Sequence, residues 1–166
     1  SRPWVMLLNP DAAVLPGCLD ALANTMQSRP GAGAVAPLVH WDEASGFLLP
    51  PQQLRSPLWE CWQSLGLRVP ALGRLISRRF RAENLRCQQA QGAIAQAMRS
   101  GGCMMLRRSA AEAIHGLFDP EFFMYYEDAD LCRRLTAAGY QLLLQPQARA
   151  LHEWRNDPAK GRFVAD

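Results

Sequence analysis

The sequence has 166 residues, of which 49% are hydrophobic and 20% are charged, and its formal net charge is +3. This composition is that of one ordinary globular domain and excludes a disordered, collagen-like or coiled-coil chain. The net charge is too small to indicate a nucleic-acid partner, and no apolar run approaches the ~20 residues that span a bilayer.

The five cysteines are odd in number and include no CxxC pair. This pattern predicts reduced thiols in a cytoplasmic protein rather than disulfides or a zinc site. No signal-peptide pattern is visible. Cys103 and Cys132 lie among apolar residues, so we expect both to be core residues.

The first forty residues predict a strand, a helix and a second strand. Residues 3–8 are apolar at both alternating positions, which is typical of a central strand covered on both faces. A helix is expected over about 16–27. Residues 34–39 are predicted to form an edge strand because of Pro37. This order favours an α/β fold with parallel pairing.

Residues 41–91 are expected to form a basic, less regular insertion, because prolines and glycines interrupt them. Between 55 and 86 there are seven arginines and two glutamates, interleaved with leucine, isoleucine and phenylalanine. Such a stretch is typical of a solvated face, and equally of a surface that binds anionic lipid or another polyanion. The sequence leaves both alternatives open.

Regular structure is predicted again from residue 101. A buried strand over 101–106 is followed by a capping box at Ser109–Glu112, which predicts a short helix ending near 115–116. After an aromatic segment, a helix is expected from Glu127 to Ala138, with Gly139 ending it. A strand over 140–144 and a further segment over 148–154 complete the pattern.

Asn9 and Asp11 flank Pro10 at the carboxyl end of the first predicted strand. In open α/β sheets, ligands bind outside the carboxyl ends of strands. An amide and a carboxylate two positions apart suit a hard divalent cation that bridges to phosphate oxygens. The same tripeptide is also compatible with a simple turn that ends a strand.

Glu127, Asp128 and Asp130 crowd the first turn of a predicted helix, directly after an aromatic segment. Favourable interaction with the helix dipole explains one or two such acids. Crowding in a partly apolar pocket can also hold one carboxylate near the pKa that a general base needs. His152 follows a strand and could complete an oxygen-rich metal site, although a single histidine is often structural.

Four segments in this order resemble the family 2 glycosyltransferases of the GT-A fold, and most closely the rhamnosyltransferase-like branch that builds bacterial surface polysaccharides. The fold class implied is α/β, the C-terminal part of a GT-A domain with a mixed sheet. The segments are Leu7-Leu-Asn-Pro-Asp11, Gly102-Cys-Met-Met-Leu106-Arg107-Arg108, Phe118-Asp-Pro-Glu-Phe-Phe-Met-Tyr-Tyr-Glu-Asp-Ala-Asp-Leu131, and Ala138-Gly-Tyr140 with His152.

The resemblance implies inverting transfer from a nucleotide-diphosphate sugar donor to a saccharide or lipid-linked acceptor, assisted by Mn²⁺ or Mg²⁺. Asp11 matches the family's metal-binding aspartate, and Asn9 takes the first position of that donor-binding motif. His152 matches a histidine that ligates the metal in some members. Asp128 matches the general base, and Glu127 stands beside it.

Four more residues are expected to contact the acceptor, namely Gly101, Gly102, Tyr126 and Asp130. The resemblance covers about residues 1–40 and 92–154, and we expect a partial domain over 1–154 followed by a polar tail over 155–166. In the family a nucleotide-binding half precedes the segment that begins at Leu7, and we expect this chain to be a fragment that lacks that half. We expect peripheral contact with the inner face of the membrane and no nucleic-acid partner. The alternative function is a non-catalytic domain that binds an anionic membrane or polyanion through residues 55–86.

Overall fold

A mixed sheet with helices on both faces organises the chain. The computed structural model describes residues 2–40, 57–96, 102–122 and 126–152. In chain order the elements are β1 (Trp4–Leu8), β2 (Ala12–Val14), α1 (Cys18–Ser28), β3 (Ala32–His40), α2 (Pro57–Arg68), α3 (Pro70–Gln89), β4 (Ile94–Ala95), β5 (Cys103–Arg107), α4 (Arg108–Ala113), α5 (Glu127–Ala137) and β6 (Gln141–His152).

The strand order in the sheet is β1-β5-β3-β6-β2, and β4 also pairs with β6. β3 and β6 are parallel, whereas β5 is antiparallel to both β1 and β3. β1, β3 and β6 therefore point the same way, and their carboxyl ends meet at one edge. We call this the carboxyl edge.

Two strand predictions are wrong. β1 lies at the end of the described sheet and pairs with β5, and most of its residues are only half-buried. β3 is central, between β5 and β6, although it contains Pro37. The β3–β6 register shifts between Pro37 and Leu38, so the proline occupies an irregularity in the ladder, where its missing N–H is tolerated.

Each face of the sheet carries its own core. On one face, α4 and α5 bury Leu131 and Leu135 against Leu106 of β5. On the other, α1 buries Leu22 and Met26. Burying a leucine or methionine side chain of this kind contributes about 1.5–3 kcal/mol, so these two layers hold the sheet and helices together.

The cysteine predictions are confirmed where the structure tests them. All five cysteines are free, and Cys103 and Cys132 are buried. Burial in the core raises the pKa of Cys103 to about 12, and the neighbouring Cys18 thiol adds to the shift. The Cys103 thiol is therefore neutral at physiological pH.

Helix ends follow the sequence at α5 but not at α4. Gly139 has φ +85°, and the N–H groups of Gly139 and Tyr140 donate to the carbonyls of Thr136 and Leu135. This is the predicted glycine stop, and it delivers the chain into β6. At α4 the predicted capping box does not form, because the helix already begins at Arg108 and no side chain caps it.

The insertion over 41–91 contains two regular helices, which corrects the expectation of irregularity for residues 57–89. Pro57 and Pro70 are the first residues of α2 and α3. The first N–H groups of a helix have no partner within the helix, so proline, which has no N–H, loses no hydrogen bond there. A Cβ on Gly73 would lie 2.7 Å from the Gly66 carbonyl oxygen, so the glycines let α2 and α3 approach backbone to backbone. Among the described residues, no helix is long and apolar enough to cross a membrane. Residues 41–56 and the predicted tail over 155–166 lie outside the described residues.

Candidate active site

Residues 9–11 run along the carboxyl edge, from β1 at one end of the sheet to β2 beyond β6. The Asn9 N–H donates to the Gly102 carbonyl at 2.9 Å, which anchors the segment beside the start of β5. The Ala12 N–H donates to the Asn9 carbonyl at 3.0 Å, and Ala12 then pairs with His152. The predicted turn exists, and it presents its side chains along the edge.

This path brings together Asn9, Asp11 and His152, which we call the edge cluster. Asp11 Oδ1 lies 3.3 Å from His152 Nε2, and Asn9 Nδ2 lies 3.4 Å from the same nitrogen. The Asp11 side chain is 41% exposed and that of His152 is 23% exposed. The cluster is therefore both open to a ligand and supported by the sheet.

The donor set of the edge cluster fits a divalent cation. Neighbouring ligands of an octahedral ion with bonds of about 2.1 Å lie about 3 Å apart, close to the spacing of the Asp11 carboxylate and the His152 imidazole. A half-turn of the Asn9 amide would place its oxygen where Nδ2 now lies. The described residues hold no group of three or more histidine, cysteine or acidic side chains that could bind a metal. Substrate oxygens or water would have to supply the remaining ligands.

The amino end of α5 faces the same edge. α5 ends where β6 begins, at the opposite edge, and it packs along the sheet through Leu131 and Leu135. Its N-cap is Tyr126, whose φ of +66° is rare for a residue with a side chain. Backbone strain of this kind is found most often at functional sites, and here it precedes Glu127 and Asp128.

The two acids have different surroundings. Asp128 Oδ1 accepts the Ala129 N–H at 2.7 Å, which holds its carboxylate at the helix end. Glu127 Oε2 is buried and has no hydrogen-bond partner among the described residues. A buried carboxylate oxygen without a donor is costly in free energy, which is a reason to expect a ligand group beside it.

Asp130 forms two ion pairs within α5, and its contact with an acceptor stays a prediction. Its side chain is 9% exposed, and its two oxygens accept hydrogen bonds from Arg133 at 2.9 Å and Arg134 at 2.6 Å. Burial acts to raise the pKa of Asp130, but the hydrogen bonds and charges of these arginines outweigh it, so the pKa is lowered. These two ion pairs hold the carboxylate against the helix that carries it.

Arg134 is a positioning residue that the sequence interpretation did not identify. Besides Asp130, it donates to the carbonyls of Ile114, Gly116 and Leu117 at 2.8–3.1 Å. It thereby fastens the turn after α4 to the helix that carries Asp128. The Asp130 and Arg134 positions, one helical turn apart, signal an ion pair, but nothing in the sequence signals the three carbonyls.

The remaining predicted acceptor residues are placed differently. Gly102 fixes Asn9 through its carbonyl, whereas Gly101 lies outside the described residues. Tyr126 is 59% exposed, and the same connection exposes Phe118 at 47% and Phe122 at 40%. Each of these three exposed rings could contact a ligand with apolar faces, and of the three only Tyr126 was predicted to contact an acceptor.

A shallow cavity of about 400 Å³ lies away from these residues, where β6 begins. Its polar lining comes from Arg29, Gln96, Thr136 and Gln141. It includes no carboxylate and no member of the edge cluster, so we do not assign the chemistry to it.

The family described as "Glycosyltransferase like family 2" matches residues 1–162. An N-acetylglucosaminyl-diphospho-decaprenol L-rhamnosyltransferase from Mycobacterium tuberculosis (strain ATCC 25618 / H37Rv) is 33% identical over 155 residues, 90% of this chain. That match covers 46% of the relative, so the chain spans less than half of the relative's length. Rhamnosyltransferase WbbL from Escherichia coli (strain K12) is 41% identical over 58 residues, 35% of this chain and 22% of the relative.

A solved structure of GalNAc-T7 with UDP, GalNAc and Mn²⁺ is similar in fold. It matches with a TM-score of 0.60 at 14% identity, over 93% of this chain and 28% of that one. At this identity the similarity concerns the fold alone, and it confirms the predicted GT-A class with its mixed sheet.

Proposed function

This chain belongs to glycosyltransferase family 2, and on that premise we propose that it forms the metal-binding and acceptor-binding side of a sugar-transfer site. The reaction is inverting transfer from a nucleotide-diphosphate sugar to an acceptor hydroxyl, in the synthesis of a bacterial surface polysaccharide. The observation that carries the proposal is the edge cluster, in which Asp11 and His152 lie 3.3 Å apart at the edge that α5 faces.

Asp11 and His152 are the residues that would hold Mn²⁺ or Mg²⁺, with Asn9 in support. When bound, the cation supplies charge neutralisation to a leaving diphosphate. Two protein ligands leave positions for diphosphate oxygens, an arrangement common for Mg²⁺. The 41% exposure of Asp11 gives a diphosphate access to that side.

Asp128 is proposed as the general base. It accepts the proton of the acceptor hydroxyl as that oxygen forms a bond to the anomeric carbon from the face opposite the leaving group. The bond from the anomeric carbon to the diphosphate oxygen breaks in the same step, which inverts the configuration. Glu127 lies beside the base, and its buried oxygen, which has no hydrogen-bond partner among the described residues, would accept a hydrogen bond from a second acceptor hydroxyl.

The acceptor surface is proposed to consist of Tyr126, Phe118 and Phe122, with Gly101 and Gly102 at its rim. The M. tuberculosis relative is named for transfer of L-rhamnose to N-acetylglucosaminyl-diphospho-decaprenol. By that similarity, we propose a deoxyhexose donor and a sugar linked through diphosphate to a lipid as acceptor. The exposed rings suit the apolar faces of such a sugar.

The metal assignment is tested by calorimetry with Mn²⁺ in the presence of thymidine or uridine diphosphate. Asp11→Asn should weaken Mn²⁺ binding about 10–100-fold, because it replaces a charged ligand with a neutral one. Asp20→Asn removes the same charge from an exposed side chain of α1 that is not part of the edge cluster, and it should leave the affinity unchanged. Equal affinity of Asp11→Asn and the unmodified chain contradicts the assignment.

The base assignment is tested by following rhamnose transfer to a lipid-linked acceptor by mass spectrometry. Asp128→Asn should lower the transfer rate about 10²–10⁴-fold while leaving Mn²⁺ binding intact, because the amide cannot take the proton. Asp20→Asn again serves as the control. Transfer that is unaffected in Asp128→Asn excludes this residue as the base.

A further inference from the structure

The outward face of α3 carries an uncovered stripe of two leucines and two alanines with one arginine among them. Ala71, Leu75, Arg78, Ala82 and Leu85 recur at intervals of four, three, four and three residues and are all exposed. This spacing places them on one side of the helix. Leu75 and Leu85 are each 52% exposed. We call these five residues the outer stripe.

The fold does not use the outer stripe for its own packing. The opposite side of α3 turns inward, where Leu72, Ile76 and Phe80 are half-buried and Cys87 is fully buried. Cys87 belongs to a small core with Leu38 and Leu144 of the sheet. α3 is therefore anchored on one side and leaves a row of apolar side chains in water on the other.

Arginines border the stripe on both sides. At 100° per residue, Arg74 and Arg81 project on one flank, and Arg79 and Arg86 on the other. Arg86 pairs with Glu83 at 2.9 Å. Within the part of the chain that the structure describes, Arg74, Arg78, Arg79 and Arg81 are exposed and have no carboxylate partner.

The neighbouring helix α2 also exposes apolar side chains. Trp62 and Leu65 are 58% and 49% exposed, and Val69, between the helices, is 41% exposed. The close approach of Gly66 and Gly73 holds the two helices together. Residues 57–89 hold six arginines against two glutamates, so the whole hairpin is basic as well as apolar.

From this combination we propose that the outer stripe docks the protein on an anionic lipid bilayer. Its leucines enter the boundary between headgroups and acyl chains, and the flanking arginines contact lipid phosphates. α3 has 20 residues and would lie flat, about 30 Å along the surface, without crossing it. The exposed leucines favour a bilayer over a soluble polyanion. Both partners offer anionic groups to the arginines, but only the bilayer has an apolar region that the leucines can enter.

The proposal does not rest on sugar transfer, because a bilayer can bind the hairpin whatever occurs at the carboxyl edge. If the edge also acts on a lipid-linked acceptor, docking through α3 would hold that edge near the membrane. The two proposals fail separately, since vesicle binding is measured without donor, acceptor or metal.

The test is co-sedimentation of the full chain with vesicles of equimolar phosphatidylglycerol and phosphatidylcholine, compared with phosphatidylcholine alone. Binding is expected only to the anionic vesicles and should weaken with added salt. The double variant Arg74→Gln/Arg81→Gln should reduce the affinity about fivefold for each arginine, about 25-fold in all. The matched double variant Arg2→Gln/Arg149→Gln removes two exposed arginines elsewhere and should have a much smaller effect.

Leu75→Ser separates a bilayer from other anionic partners. It should weaken vesicle binding about tenfold, whereas Leu19→Ser, which changes a leucine of α1 with 48% exposure, should not. Equal losses in the paired and control variants overturn the proposal, as does binding that Leu75→Ser leaves intact. A heparin affinity that matches the vesicle affinity and ignores Leu75→Ser identifies a polyanion instead. A dimer in solution that Leu75→Ser dissociates identifies a second copy of the chain as the occupant.

Discussion

The sheet and the α2–α3 hairpin differ in what covers their apolar side chains. Leu106, Leu131 and Leu144 of the sheet region are at most 1% exposed, whereas Leu75 and Leu85 of the hairpin are 52% exposed. In the sheet region the apolar side chains become buried on folding, because helices cover both faces of the sheet. Apolar surface on the hairpin stays available for a partner, so similar residue types serve stability in one region and binding in the other.

The strongest test of this difference is to replace one leucine with alanine in each region and to compare the losses in the free energy of unfolding. Leu131→Ala should lower the free energy of unfolding by about 3–4 kcal/mol, because it leaves a cavity between α5 and the sheet. Leu75→Ala should change it by less than about 0.5 kcal/mol. Urea unfolding followed by circular dichroism measures both. Similar losses would mean that the outer stripe is covered in solution.

The next largest effect is the difference in stability loss between variants of Arg133 and Arg134, the two arginines that pair with Asp130. Arg134→Gln should destabilise the fold by about 2–3 kcal/mol, because it leaves Oδ2 of the buried Asp130 and three carbonyls without their donor. Arg133→Gln removes the same charge from a side chain that is 68% exposed and should cost less than about 1 kcal/mol. Urea midpoints that do not differ between the two variants would refute the positioning role of Arg134.

Within the hairpin, the packing of the two helices is tested at its closest point. Gly73→Ala should lower stability by about 1–2 kcal/mol, since its Cβ would meet the Gly66 carbonyl oxygen at 2.7 Å. Alanine's better helix propensity recovers only part of this. Gly31→Ala, whose Cβ meets nothing within 4 Å, is the matched control. A stabilised Gly73→Ala would show that the helices are further apart in solution.

The smallest expected effect is a pH dependence confined to the sheet region. The folded pKa of Asp130 is lowered from its ordinary value of 3.8, so its ion pairs contribute stability above that value and lose it as the pH falls through the folded pKa. The stability gap between the unmodified chain and Asp130→Asn should therefore be full above about pH 5 and shrink below about pH 4. A gap that stays constant from neutral to acidic pH contradicts the ion-pair role.

The elements that the sequence predicted well are those that depend on interactions between residues close together in the chain. The glycine stop at Gly139 depends on residues within five positions of it, so the end of α5 was predictable. Asn9, Asp11 and His152 were identified as candidates by residue type and by their places at strand ends. Their distances were not predictable, because Asn9 and His152 are 143 positions apart and meet only through the order of the strands.

By itself, the sequence determined the α/β class, the run of strands and helices around the sheet, the apolar runs that form its core and the basic, leucine-rich character of residues 55–86. Only the tertiary structure decided that Pro37 lies in a central strand, that Asp130 forms its buried ion pair with Arg134, and that one side of α3 is exposed to solvent. The reason is that helix stops and turns are set by neighbouring residues. Strand order, ion-pair partners and exposure depend instead on contacts between distant parts of the chain, and local sequence does not encode those contacts.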